Sequence, residues 1–146
     1  MKTHPAFVVY AINSLILVLN ITFLWVYSGL VRGKKKTVWN PEDTTTVAKG
    51  AAVIVQEPAE VARVLRAHNN AVVNILPFLV LAFVLVGLNV PAMEAWILFG
   101  SFSFFRWMHS LMYLGGKQPF RTLVFVGGLL ATLAVMVEIV RFTLAG

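Results

Sequence analysis

The sequence contains no cysteine, and acidic residues are scarce: six Asp and Glu stand against twelve Lys and Arg in 146 residues. Without cysteine the chain can form no disulfide framework, thiolate metal site or cysteine nucleophile. The sequence shows no paired carboxylates for acid–base catalysis, no glycine-rich phosphate loop and no Ser-His-Asp order. His68 and His109 lie far apart without acidic neighbours at ligand spacing, so no metal site is predicted.

Apolar residues make up 59% of the chain and charged residues only 12%. A soluble domain of this composition would expose large apolar patches, so the lipid bilayer is the expected solvent. Four apolar spans lie at about 5–30, 69–88, 91–114 and 120–144, each close to the roughly 20 residues that cross a hydrocarbon core. The chain is therefore predicted to be one all-α domain, an integral membrane four-helix bundle.

The basic residues flank these spans, which indicates membrane topology rather than a nucleic-acid surface. By the positive-inside rule, both basic loops should face the cytoplasm and both termini the opposite side. Short loops and the lack of a retention signal favour a bacterial inner membrane, and no cleavable signal peptide is expected. The first basic loop and the adjoining helix start carry Arg32, Lys34, Lys35, Lys36, Lys49, Arg63 and Arg66, and the second carries Lys117 and Arg121.

The third span contains a polar stripe formed by Arg106, His109 and Tyr113. Their spacings of three and four residues place them on one helix face. A cation at membrane depth costs several kcal/mol unless it faces a partner or water. The intramembrane acid Glu138 lies nearer to Arg141, so Arg106 is expected to lack a carboxylate from its own chain. That favours an external anion or a neighbouring subunit, with a buried structural ion pair as the alternative.

Other polar residues are expected to converge at the same cytoplasmic mouth. Arginines hold carboxylates in a forked geometry and stay charged when partly buried, so several of them indicate a ligand with more than one carboxylate or phosphate. Simpler interpretations remain open for each: topology signals, snorkelling side chains, a helix–helix hydrogen bond or an interfacial tyrosine. The residues concerned are Arg32 and Asp43 after the first span, the stripe Arg63, Arg66, Asn70 and Asn74, and Arg121 with Thr122.

Four motifs resemble those of the MAPEG family, the membrane-associated proteins of eicosanoid and glutathione metabolism. The similarity is greatest to its branch of microsomal glutathione transferases and prostaglandin E synthases, and it spans nearly the whole chain. The motifs are Val31-Arg32 with Asn40-Pro41-Glu42-Asp43, the segment from Glu60 to Asn70 continuing to Pro77-Phe78, the stripe Arg106, His109 and Tyr113, and Pro119-Phe120-Arg121.

This resemblance implies a homotrimer that binds glutathione between adjacent subunits at the cytoplasmic side. Arg121 is expected to stabilise the thiolate, with Thr122 and Tyr113 assisting by hydrogen bonds. Asp43 corresponds to a loop acid that has been assigned a catalytic role in the family. The expected glutathione contacts are Arg32, Arg66, Asn70, Arg106, His109, Tyr113, Arg121 and Thr122.

Four positions depart from the family pattern. Val73 stands where a glutamate is expected to hold the ammonium of glutathione, and Asn69 stands where a second arginine is expected. Ala71 replaces an expected acid, and Phe125 an expected tyrosine. Each lost charged contact could cost about 1.5–3 kcal/mol of binding free energy. The departures predict that glutathione binds more weakly or in a different pose.

The expected function is a membrane-bound glutathione transferase for detoxification that acts on lipophilic electrophiles or hydroperoxides. One alternative is a protein of the same fold that lacks glutathione chemistry and serves as a scaffold or binds another anionic amphiphile. A third interpretation is that the chain is a small transporter or a channel subunit. The sequence alone does not separate conjugation, peroxide reduction and isomerisation, because all three use one activated thiolate.

Overall fold

Four long helices dominate the structure, a computed structural model that describes residues 4–145. The predicted all-α membrane bundle is confirmed. The connection between the first two helices contains a short 3-10 helix and a two-residue parallel strand pair. The helices are α1 (Pro5–Lys35), α2 (Ala59–Gly87), α3 (Ala92–Leu114) and α4 (Phe120–Ala145), the 3-10 helix is Pro41–Thr44, and the strands are β1 (Thr37–Val38) and β2 (Ala52–Val53).

The ends of α1 follow from its sequence. Pro5 occupies the first turn, where its missing N–H is not needed. Lys36 ends the helix in the left-handed conformation, with φ of 50°, and its N–H donates to the carbonyls of Arg32 and Gly33. The basic residues of the last turn interact favourably with the negative end of the helix dipole. The basic cluster therefore stabilises the last turn of the helix, which ends at the left-handed Lys36.

The helices pack so that α2 and α3 form the middle of the bundle. Within residues 4–145, α1 packs against α2 and α3, and α4 packs against the same two helices. The short turn from α2 to α3 makes these helices antiparallel neighbours. The guanidinium of Arg63 in α2 approaches Gly116 in the α3–α4 turn. Both basic connections therefore lie at one end of the bundle.

Three helices of the described chain, α1, α2 and α4, are long and apolar enough to cross a membrane. Helix α3 has 23 residues, about 35 Å at 1.5 Å per residue. It is less apolar because it carries Glu94, Arg106, His109 and several serines. The span at 91–114 therefore stays a prediction, supported by the packing of α3 against the other three helices.

A ladder of polar contacts joins α1 to α3. Ser103 Oγ donates to Asn13 Oδ1 at 2.8 Å, and Ser110 Oγ lies 3.0 Å from Asn20 Oδ1. Both asparagines and both serines are buried. Because the two contacts are seven residues apart on each helix, α1 and α3 run parallel and in register. These two contacts fix the position of α3 relative to α1 along the bundle axis.

Aromatic packing joins α2 to α3. The rings of Phe78 and Phe102 stack with centroids 3.6 Å apart, and Phe99 meets Phe78 edge-on at 6.0 Å. All three side chains are fully buried. Together with the polar ladder, these rings hold the polar stripe of α3 inside the bundle.

We predict that Gly127→Ala lowers the thermal stability of the protein. A Cβ at this position would lie 2.5–2.7 Å from ring atoms of Phe105, so the Phe105 ring or α4 itself would have to shift. Overpacking of this kind costs typically about 1–3 kcal/mol. The matched control is Gly100→Ala, whose Cβ would meet nothing within 4 Å. Thermal unfolding in detergent should fall only for the first variant, and equal midpoints would contradict this packing.

Candidate functional site

Arg106 is the most deeply buried charged residue at the candidate site, with 2% of its surface exposed. Its Nη1 donates to Oδ1 of Asn70 on α2 at 3.3 Å. The guanidinium carbon lies 5.7 Å from the ring centroid of Phe102 and 5.6 Å from that of Phe125, within the range of cation–π attraction. Gly128 of α4 permits this close approach, because a Cβ there would lie 3.2 Å from Nε and Nη2.

The charge of Arg106 has no acidic partner within the described chain. No carboxylate of residues 4–145 lies within 4.0 Å of it, and its buried Nε has no hydrogen-bond partner there. Glu138 pairs with Arg141, which also bonds Glu94 at 2.7 Å. The prediction that Arg106 lacks a carboxylate from its own chain is confirmed for these residues. Its charge is therefore not neutralised by a carboxylate of the described chain.

His109 and Tyr113 continue the stripe toward the basic end of α3. His109 is 5% exposed, and its ring lies 5.6 Å from that of Tyr113 and 5.8 Å from that of Phe125. The rings of His109 and Tyr113 are inclined at 64°, an edge-on arrangement. The predicted stripe is confirmed, with His109 inside the bundle and Tyr113 only partly buried at the mouth.

Arg121 at the start of α4 stacks on Tyr113, with its guanidinium carbon 4.7 Å from the ring centroid. In one orientation, the side-chain amide of Gln118 forms hydrogen bonds with both Arg121 and Thr122. Its oxygen then accepts from Arg121 Nε at 3.2 Å and Nη2 at 2.6 Å, and its NH2 donates to Thr122 Oγ1 at 3.1 Å. In that arrangement the hydroxyl hydrogen of Thr122 is free to donate to a ligand.

A cleft of about 450 Å³ opens between α2 and the end of α3. Arg66 brings a cation to this cleft, and Arg121 lies over its Tyr113 wall. None of the residues that line it is acidic. The cleft is therefore suited to an anion of small-molecule size. Its lining residues are Leu65, Arg66, Asn69, Asn70, Val73 and Tyr113.

Two predicted site residues lie away from this cleft within one subunit. Arg32 forms an ion pair with Glu57, whose Oε1 also accepts from Trp39 Nε1 at 2.6 Å. Asp43 lies in the 3-10 helix, where its carbonyl accepts from the N–H of Ala48 at 2.8 Å. One chain therefore brings together the residues of α2, α3 and α4, and leaves Arg32 at the end of α1 and Asp43 in the α1–α2 connection.

Several polar residues of the structure were not identified from the sequence. The ion pair of Glu57 with Arg32 could not be predicted, because the two residues lie 25 positions apart and no local pattern links them. Gln118 precedes the Pro119-Phe120-Arg121 motif and gave no separate signal. The α1–α3 ladder had a visible signal, namely asparagines and serines seven residues apart inside apolar helices: Asn13, Asn20, Ser103 and Ser110.

Comparison with known proteins identifies the family. The family model described as MAPEG matches residues 10–141. Prostaglandin E synthase of Macaca fascicularis is 33% identical over 124 residues, covering 84% of this chain and 80% of the relative. Prostaglandin E synthase of Rattus norvegicus is 36% identical over 115 residues, covering 79% and 72%. Microsomal glutathione S-transferase 1 of Bos taurus is 32% identical over 142 residues, covering 94% and 91%. The chain belongs to the MAPEG family.

Proposed function

We propose that this chain is a membrane-bound glutathione transferase in which hydroperoxide reduction is a second use of the same site. The observation that carries the proposal is the cationic cleft beside Tyr113. Arg66 lines this cleft, Arg121 stacks on its Tyr113 wall, and no lining residue is acidic. The name of the bovine relative, microsomal glutathione S-transferase 1, supports the same activity.

The residues of the cleft fit glutathione chemically. Glutathione carries two carboxylates, and the buried Arg106 offers an Nε without a partner in the described chain. Arg66, Asn70 and Arg106 would hold the carboxylates, with forked and amide donors suited to them. The fit is incomplete at the ammonium, because Val73, which is 60% exposed in the cleft, supplies no negative charge.

When bound, glutathione supplies a thiol that reacts with electrophiles as its thiolate. Arg121 would favour the ionised form through its permanent charge, and its stacking on Tyr113 fixes where that charge lies. Thr122 would donate its free hydroxyl hydrogen to the sulfur, because Gln118 already donates to its oxygen. The tyrosine hydroxyl of Tyr113 is a second donor at the same mouth.

The lipophilic substrate would reach this site from the bilayer. Exposed apolar side chains continue the α2 face beyond Val73, including Leu76 and Val80. These side chains offer apolar surface without specificity, which suits an electrophile or hydroperoxide dissolved in lipid. The same apolar face is also available to a neighbouring subunit.

We propose a homotrimer in which each cleft is completed by an adjacent subunit. A second subunit could bring Arg32 and Asp43 to the cleft, although both lie away from it within one chain. The basic end would face the cytoplasm by the positive-inside rule. The relatives named above are mammalian, and location in a bacterial inner membrane stays a prediction.

A second candidate function follows from the exposed Val73. A MAPEG subunit without an acid at this position would hold the ammonium of glutathione poorly, and the same cationic cleft could hold another anionic amphiphile. Synthase-type isomerisation is a further use of the same thiolate, and two of the relatives described above are named prostaglandin E synthases.

We predict that Arg121→Ala lowers conjugation of glutathione to a lipophilic aryl halide by a hundredfold or more, on the order of the loss of one oxyanion donor. Loss of the cation raises the pKa of the bound thiol, so the residual rate should increase toward alkaline pH. The matched control is Lys117→Ala, which removes an exposed cation from the same turn. Sedimentation should give the same oligomer for both variants. Full turnover by Arg121→Ala would refute the assignment.

We predict that Val73→Glu strengthens glutathione binding about tenfold, because it restores a carboxylate for the ammonium. The neutral variant Val73→Gln keeps the size and shape of the new side chain and should bind like the original protein. Titration calorimetry on each variant measures the difference. Equal affinities of the two variants, in samples with matched thermal unfolding, would favour the second candidate function.

A further inference from the structure

A second cleft opens at the basic end of the bundle and shares no lining residue with the first. It measures about 550 Å³ and lies where α1 ends, α2 begins and α3 ends. Its volume falls in the range of small-molecule sites. It is also placed at the level where the apolar spans give way to the basic loops, which is the expected depth of lipid headgroups.

Cations line the mouth of this second cleft. Lys35 forms an ion pair with Glu60 at 2.6 Å, so its charge is balanced. Lys34 and Arg63 form no ion pair within residues 4–145. Two positive charges therefore remain at the mouth. The start of α2 adds the partial positive charge of a helix N-terminus.

The guanidinium of Arg63 lies beside the α3–α4 turn. A Cβ at Gly116 would lie 3.1 Å from its Nη1, and Gly116 itself adopts a left-handed conformation with φ of +64°. A side chain at this position would crowd the guanidinium and strain the turn. The turn therefore leaves room for Arg63 beside the cleft that Glu60 and Lys34 also line.

The wall of the cleft is apolar. Tyr27 and Val31 of α1 face Leu114 of α3 across it. A hydrated anion of small size would gain nothing from this wall. A ligand with an anionic headgroup and a hydrocarbon chain would match both the charged mouth and the apolar wall.

We propose that this cleft binds the phosphate of an anionic phospholipid, with the start of an acyl chain against Tyr27 and Val31. Basic pockets between membrane helices at the cytoplasmic side bind headgroups of this chemistry. Lys34 and Arg63 hold the phosphate, while Lys35 stays bound to Glu60. Free inorganic phosphate has the same charged group as the lipid headgroup. It lacks the acyl chain that would pack against the apolar wall of the cleft.

The test is titration of the purified full-length protein in a neutral detergent with dioleoyl phosphatidylglycerol, read by native mass spectrometry. Each cation near an anionic lipid contributes about a fivefold gain in affinity, so the double variant K34Q/R63Q should bind about thirtyfold more weakly. The matched control K49Q/K117Q removes the same charge from exposed positions outside the cleft and should bind like the original protein. Dioleoyl phosphatidylcholine should not compete.

Three results would overturn the proposal. Equal losses in the two double variants would show a general charge effect. Displacement of the lipid by millimolar inorganic phosphate would assign the cleft to a small anion, and displacement by glutathione would assign the lipid to the first cleft. If K34Q/R63Q does not fold, the single variants Lys34→Gln and Arg63→Gln replace it, each with an expected loss of about fivefold.

Discussion

A permanent cation in the middle of a membrane bundle constrains everything around it, and Arg106 is that cation. Its guanidinium meets the amide of Asn70 on α2, two aromatic rings, and the bare backbone of Gly128 on α4. These contacts lower the cost of burial and leave the charge without a carboxylate partner in residues 4–145. Such a charge costs several kcal/mol in the bilayer unless it faces a partner or a water-filled cavity. The position of Arg106 therefore depends on its contacts with α2 and α4.

The α1–α3 ladder keeps this cation at its depth. Hydrogen bonds between membrane helices contribute only about 0.6 kcal/mol each, so the ladder matters more for position than for stability. Its two steps, at Asn13 with Ser103 and Asn20 with Ser110, set the displacement of α3 along α1. That displacement brings Tyr113 to the mouth, where Arg121 stacks on it. The position of the Tyr113–Arg121 pair thus depends on polar contacts deep in the bundle.

The sequence predicts the helices and most of the candidate site, because apolar length and one-face spacing are local properties. It predicts that Arg106, His109 and Tyr113 share a face, and the structure agrees. It does not predict partners that are distant in sequence, such as Glu57 for Arg32, because no local pattern encodes a contact across 25 residues. In the proposed homotrimer, the positions of Arg32 and Asp43 relative to the cleft would depend on neighbouring subunits, which a single sequence does not specify.

The central claim is that the cleft beside Tyr113 binds glutathione and ionises its thiol. The most direct measurement is titration calorimetry of glutathione into the detergent-solubilised protein, combined with the ultraviolet absorbance of the thiolate. We expect saturable binding at millimolar glutathione or below, with thiolate absorbance at neutral pH. Absence of binding at millimolar glutathione, in a sample shown to be folded and oligomeric, would contradict the claim.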